Sequence, residues 1–174
     1  MKNKEFTALG LMSGTSMDGI DVSLVKSDGE YRFQGILNYY REFSDDLRQK
    51  LINLRTLINE KNDLEKYANE LKELERKITL FHSEIVNDIS QRYKKKIDLV
   101  GFHGLTIFHD STKKISLQLG DGKLLSQLTK HIVINNFRQK DLKNEGQGAP
   151  LTPVFHRLIC YLINKKKKLN IQSF

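Results

Sequence analysis

Apolar side chains recur from Leu64 to Ile89 as Leu64, Tyr67, Leu71, Leu74, Ile78, Phe81, Ile85 and Ile89, always three or four residues apart, with Glu and Lys between them. That spacing lays one apolar stripe along an α-helix and leaves its other faces to solvent. The pattern predicts one long amphipathic helix from Asp63 onward, and such a helix needs an apolar surface of similar length to cover it. The residues before it supply a sheet. Residues 7–12 are an apolar run, residues 20–26 alternate with Val22 and Leu24 on one side, and residues 31–40 carry Phe33, Ile36, Leu37 and three tyrosines. Turn residues at 13–16 and 27–29 separate these runs, so the chain opens as a three-stranded meander. Ser44, followed by two aspartates and then by Leu47, Leu51 and Leu54, starts a further helix over about residues 45–59.

Strands return after the long helix. Residues 97–102 read as a buried strand leading into His103, and residues 115–119 as another, closed by Gly120-Asp121-Gly122. Residues 124–129 read as a short helix, 132–134 as a strand, 146–150 as a glycine-bearing loop, and 154–163 as a last helix. This is an α/β arrangement in one domain of 174 residues. The lone Cys160 excludes an internal disulfide and is expected to be a small buried hydrophobe. No apolar run approaches the roughly 20 residues of a bilayer helix, so no membrane role and a cytoplasmic location are expected. The net charge of +8 is concentrated in Lys94-Lys95-Lys96 and Lys165 to Lys168, without interleaved aromatics. Solvated surface is the better reading than nucleic-acid binding.

Three stretches could carry chemistry. Residues 12–21, Met-Ser-Gly-Thr-Ser-Met-Asp-Gly-Ile-Asp, form a tight turn between strands. Its small residues let backbone N–H groups and hydroxyls face phosphate oxygens, and Asp18 or Asp21 could hold a hydrated Mg2+. A strand follows instead of a helix, and no Gly-Lys-Ser/Thr is present, so this is not a Walker loop. The second stretch, residues 101–106, places His103 at the end of a buried strand, where α/β proteins gather ligands. His103 could hydrogen-bond a sugar hydroxyl or simply satisfy a nearby carbonyl; His109 and His131 read as incidental. The third stretch holds Arg138, Lys140 and Asp141 ahead of the 146–150 loop, a set suited to an anionic or polyhydroxyl ligand or to a plain surface turn.

Taken together and in this order, the stretches resemble the anhydro-N-acetylmuramic acid kinases of the actin and sugar-kinase superfamily. The resemblance extends through Leu117 to Asp121 and through Pro153 to His156, covering nearly the whole chain. It implies the N-terminal lobe of an actin-like, ribonuclease-H-like ATPase fold, with a mixed sheet and flanking helices. It also implies ATP and Mg2+ as cofactors and a small amino sugar as substrate. The reaction would open the anhydro bridge with water and place the γ-phosphate on the sugar's O6, in cell-wall recycling. By resemblance, Gly14, Thr15, Ser16, Met17, Asp18, Gly19, Ile20 and Asp21 contact the nucleotide, with Asp18 and Asp21 at the metal. His103, Thr106, Arg138, Asp141 and Gln147 line or support the sugar site.

Four positions depart from the family pattern: Phe102 replaces a small residue, Leu105 a Gln, Asn136 an Asp, and Glu145 a Gly. Leu105 cannot bind a hydroxyl, and Glu145 brings negative charge. The family runs to roughly twice this length, typical of two domains. Its second phosphate loop and the Asp-x-Gly-Pro-Gly-Asn motif with the general base are not found here. Residues 1–164 are therefore expected to be a truncated kinase lobe and 165–174 a divergent lysine-rich tail. No catalytic residue is assigned. The expectation is an inactive family member; the alternatives are half of a split enzyme with a separately encoded C-terminal half, or a nucleotide- or sugar-binding remnant. Exposed apolar surface should mark the face a partner lobe would cover.

Overall fold

The computed structural model describes the backbone of residues 4–171 and the side chains of residues 4–165. Alternating residues that find a core on one side form the opening meander. Strands β1 (Phe6–Ser13), β2 (Gly19–Ser27) and β3 (Phe33–Glu42) pair antiparallel in sequence order. Leu9 lies opposite Leu24 and Leu11 opposite Val22, all four buried. Helix α1 (Asp45–Leu57) starts where Ser44 Oγ accepts the Leu47 amide at 3.3 Å, with Asp45 and Asp46 at its positive end.

The long apolar stripe is two helices, not one. Helix α2 (Lys61–Lys66) and helix α3 (Ala68–Tyr93) meet at Tyr67, whose backbone leaves helical geometry at φ −106°, ψ 27°. Asp63 fixes the start of α2 by accepting the amides of Asn59 and Glu60 at 2.9 and 3.0 Å. A one-residue break that keeps both segments against the same core leaves the three-and-four spacing intact, so periodicity alone does not reveal it.

Strand β4 (Leu99–Asp110) runs eight residues past the Phe102 expected as its end, and pairs with β5 (Ile115–Leu119) as a hairpin. Helix α4 (Gly122–Thr129), capped by Asp121 on the Leu124 amide, leads to the short strand β6 (Val133–Ile134). Helix α5 (Phe137–Lys143) was not expected from sequence; at seven residues it is too short for periodicity, and it starts from Asn136 in the left-handed region. Helix α6 (Pro153–Ile171) continues past the predicted end at residue 163 into the lysine run, whose side chains from 166 onward lie outside the described residues.

The sheet order is β3-β2-β1-β4-β5, with β6 also beside β4. β1, β4 and β6 are mutually parallel; the other pairings are antiparallel. One face of this mixed sheet packs on α3, bringing Leu9, Leu11, Val100 and Phe102 into one core with Ile78, Ile85, Val86 and Ile89. Each such side chain contributes about 2 kcal/mol on burial. His82 on α3 joins this core, 4.8 Å from the Phe102 ring between centroids.

The other face meets α6 through Phe33 against Phe155 and Tyr31 against Tyr161, at 5.0 and 6.1 Å. The cover is thin: Val154 is 82% exposed, Phe155, Tyr161 and Ile163 are also exposed, and a cavity of about 550 Å3 lies between α6 and the sheet. Exposed apolar surface was anticipated. Cys160 is exposed on this helix, contrary to expectation, because α6 has little packed against it. Among the described residues, no helix is long and apolar enough to cross a membrane.

Candidate functional site

The three stretches are brought to one side of the sheet because β1 and β6, both parallel to β4, end alongside the middle of β4, which itself runs on to Asp110. β1 ends at Ser13, which pairs with Leu105, while β6 ends at Ile134 beside Gly101. The turn after β1, residue His103 of β4 and helix α5 after β6 therefore lie at one edge of the sheet, the carboxyl end of its parallel strands. β6 occupies one side of β4 at Val100 and Gly101, and β5 takes that side from Leu105 onward. Residues 102–104 lie in the gap between them. His103 is thus in mid-strand, not at a strand end, and the gap is what makes it accessible.

The β1–β2 turn is built almost wholly from its own residues. The Met17 amide donates to Gly14 O at 3.2 Å, and Met17, at φ 54°, turns its side chain into the core with 2% exposed. Thr15, Ser16 and Asp18 remain exposed. Ser16 Oγ donates to Asp18 Oδ1 at 2.7 Å, the main reason the Asp18 carboxyl stays below its ordinary range; backbone amides and the charge of Arg48 add to it. Gly19 has no room for a side chain, since a Cβ would come within 2.5 Å of Arg41 O and 2.7 Å of Tyr40 Oη.

Tyr40 was not singled out from sequence. Strand pairing places it opposite Asp21 and over Gly19. Partial burial, followed by the charges of Asp18, Glu42 and Asp21, holds its phenol above the usual range, so it stays a hydrogen-bond donor. Counting strand alternation across the meander could have found it. Among the described residues no three His, Cys, Asp or Glu side chains gather as a metal cage. An Mg2+ held at Asp18 or Asp21 would rely mainly on water and phosphate oxygens, as this ion usually does.

The second cluster is assembled from β4, α5 and the loop before α6. His103 Nδ1 lies 2.9 Å from Gly104 O, and Arg138 Nε donates to His103 Nε2 at 3.2 Å. A carbonyl only accepts and a guanidinium only donates, so these partners assign the proton to Nδ1 and leave Nε2 bare. Burial, and then the Arg138 charge, keeps the His103 pKa below its ordinary value. Arg138 Nη1 donates to Gly148 O at 2.8 Å, and Asp141 Oδ2 accepts the Gly148 amide at 2.7 Å. Lys114 Nζ, from the β4–β5 hairpin, donates to the carbonyls of Glu145 and Gly146 at 3.0 and 3.1 Å.

Thr106 Oγ1 receives a long contact of 3.4 Å from Gln118, while Gln147 is exposed. The structure thus joins His103, Arg138 and Asp141 into one network and leaves Thr106 and Gln147 outside it. Gln118, Gln139, Lys114 and Gly148 are partners that sequence reading missed. Only the family-like runs around them gave any signal.

The four departures separate by location. Phe102 and Leu105 face the core at 1% and 0% exposed, so Leu105 lies away from any hydroxyl on the open edge. Asn136 and Glu145 both adopt positive φ, 57° and 67°, at the ends of α5. The Glu145 carbonyl accepts from Lys114, which ties the loop to the β4–β5 hairpin.

A sequence profile of the anhydro-N-acetylmuramic acid kinase family matches residues 6–173. The chain belongs to the anhydro-N-acetylmuramic acid kinase family. An anhydro-N-acetylmuramic acid kinase of Pelagibacter ubique is 51% identical over 164 residues, covering 94% of this chain and 43% of the relative. The kinase of Rhodopseudomonas palustris is 35% identical over 168 residues, 95% of this chain and 46% of its own. That of Agrobacterium fabrum is 38% identical over 156 residues, 86% and 41% respectively. The chain thus spans less than half the length of these relatives. The mixed sheet with helices on both faces agrees with the actin-like α/β fold of this kinase family.

Proposed function

We propose that this chain forms one wall of an ATP-dependent kinase site that opens 1,6-anhydro-N-acetylmuramic acid and phosphorylates it at O6, a step of cell-wall recycling. The observation that carries the reading is the convergence of a phosphate-type turn and a cationic cluster at the carboxyl ends of parallel strands, within a chain of this family. In this reading Gly14, Thr15, Ser16, Met17, Asp18, Gly19, Ile20 and Asp21 embrace the nucleotide phosphates. The exposed hydroxyls of Thr15 and Ser16 suit that role. Bound ATP with Mg2+ would supply the γ-phosphoryl group. Asp18, kept ionised by Ser16, and Asp21 would hold the metal's water shell.

His103, Arg138 and Asp141 form the sugar side in this reading, with Thr106 and Gln147 at its margin. No residue of the chain is assigned as general base. Phosphoryl transfer depends on in-line geometry in a closed cleft, and one wall does not provide it. The reading therefore requires a complementary half, corresponding to the part of the relatives that this chain does not span. The test is ATP-dependent release of phosphorylated sugar. This chain alone should give a negligible rate, and mixing it with the C-terminal part of the Pelagibacter ubique relative should restore turnover. No turnover from a mixture that forms a stable complex would overturn the reading.

A further inference from the structure

We infer that His103 is a positioning residue that aims Arg138 at an anionic ligand group and does not itself touch the ligand. The inference rests on the sugar-site reading above and deepens it. Both ring nitrogens of His103 are already engaged inside the protein, Nδ1 with Gly104 O and Nε2 with Arg138 Nε. Neither is left over for a hydroxyl. A side chain in a regular strand does not reach the carbonyl of the next residue; here Gly104, at φ 71°, breaks the strand geometry. No other residue fits at 104, because a Cβ would stand 2.5 Å from Leu119 O.

Arg138 is the group so aimed. Its Nε and Nη1 are held by two neutral acceptors on separate elements, His103 on β4 and the Gly148 carbonyl on the loop. No carboxylate pairs with it among the described residues. The nearby Asp141 spends its Oδ2 on the Gly148 amide instead. A half-buried guanidinium, fixed in orientation and with its charge uncompensated, leaves Nη2 to meet a carboxylate or phosphate. Arg138 is the charged group bonded to His103, and Asp141 fixes the loop whose Gly148 carbonyl holds Arg138. Protonation of His103 would remove the acceptor and set two cations side by side, releasing Arg138.

The test uses the purified chain, with His103→Gln keeping an acceptor near the Nε2 position and His103→Leu removing it. Arginine side-chain NMR should show a protected Arg138 Nε–H in the wild type and in His103→Gln, and its loss in His103→Leu. Binding of N-acetylmuramic acid, which carries a carboxylate, should weaken about tenfold in His103→Leu and less than threefold in His103→Gln. Neutral N-acetylglucosamine should bind all three alike. ATP with Mg2+ separates the two anion sources: weakening for ATP but not for the acidic sugar assigns Arg138 to a phosphate. Because burial holds the His103 pKa down, the wild-type affinity for the anion should fall only on the acid side of the ordinary histidine range, and His103→Leu should lose that dependence.

Equal weakening of the charged and neutral sugars would overturn the inference, since His103 would then contact the ligand directly. So would an Arg138 Nε–H signal unchanged in His103→Leu. Should the wild type bind neither sugar nor nucleotide, the functional reading fails, and the Arg138 signal still decides whether His103 positions the guanidinium.

Discussion

The β1–β2 turn and the His103–Arg138 cluster lie at the same edge of one sheet but are built in opposite ways. In the turn, Ser16 holds Asp18 two residues away, and Gly14 accepts from Met17 three residues away. In the cluster, Arg138 reaches His103 across 35 positions and Lys114 reaches Glu145 across 31. A short-range turn keeps its geometry through its own hydrogen bonds. The long-range cluster keeps its geometry only while β4, α5 and the 146–150 loop stay docked together. Substitutions should therefore act locally in the turn and propagate in the cluster.

Glycine replacements test this contrast most strongly. Gly104→Ala places a Cβ against Leu119 O at positive φ and should cost about 3 kcal/mol or more by chemical denaturation. Gly14→Ala meets Ser16 alone, its Oγ at 3.4 Å and its amide nitrogen at 4.0 Å, and should cost less than about 1 kcal/mol. Equal losses would erase the distinction.

Acid should weaken the cluster from beneath. His82 lies behind β4 against Phe102; its Nδ1 is bonded to Ile78 O, and its Nε2 is buried without a partner. Burial lowers its pKa from 6.5 to about 4. Because the unfolded chain takes up the proton more readily, stability should be full above pH 6.5 and fall by about 3 kcal/mol on descending to pH 4. Denaturant midpoints compared between wild type and His82→Phe would check it, since the variant should lose that part of the acid sensitivity.

Smaller effects refine the contrast. Asp141→Ala frees the Gly148 amide and should cost about 1 kcal/mol, with severalfold faster hydrogen exchange at Gly148 and no change at Ser16 or Asp18. Ser16→Ala should leave stability within about 0.5 kcal/mol while returning the Asp18 carboxyl toward its ordinary pKa, read by NMR titration. A change at Gly148 in the second variant would mean that the two regions are coupled.

Legibility followed the range of the interactions. The meander, α1, β5 and α4 were readable, because Ser44, Asp121 and the alternation around Val22 and Leu24 act on their immediate neighbours. The break at Tyr67 was hidden by a period common to both helices. Helix α5 was hidden by its length, and Tyr40 was missed because its importance lies in the residue across the strand pair. Phe102 and Leu105 read as altered ligand positions until the sheet turned them into the core.

The amino-acid order by itself determined the elements that depend on near neighbours: strand alternation, helix caps and the small residues of the β1–β2 turn. It also carried the motifs by which the family is identified. Only the tertiary structure decided that β6 and β5 divide one side of β4, opening the gap at His103 and bringing Arg138 to its bare nitrogen. The reason is physical: local hydrogen bonding and periodicity are written in adjacent residues, whereas the partners of a buried polar group are chosen by which strands pack side by side.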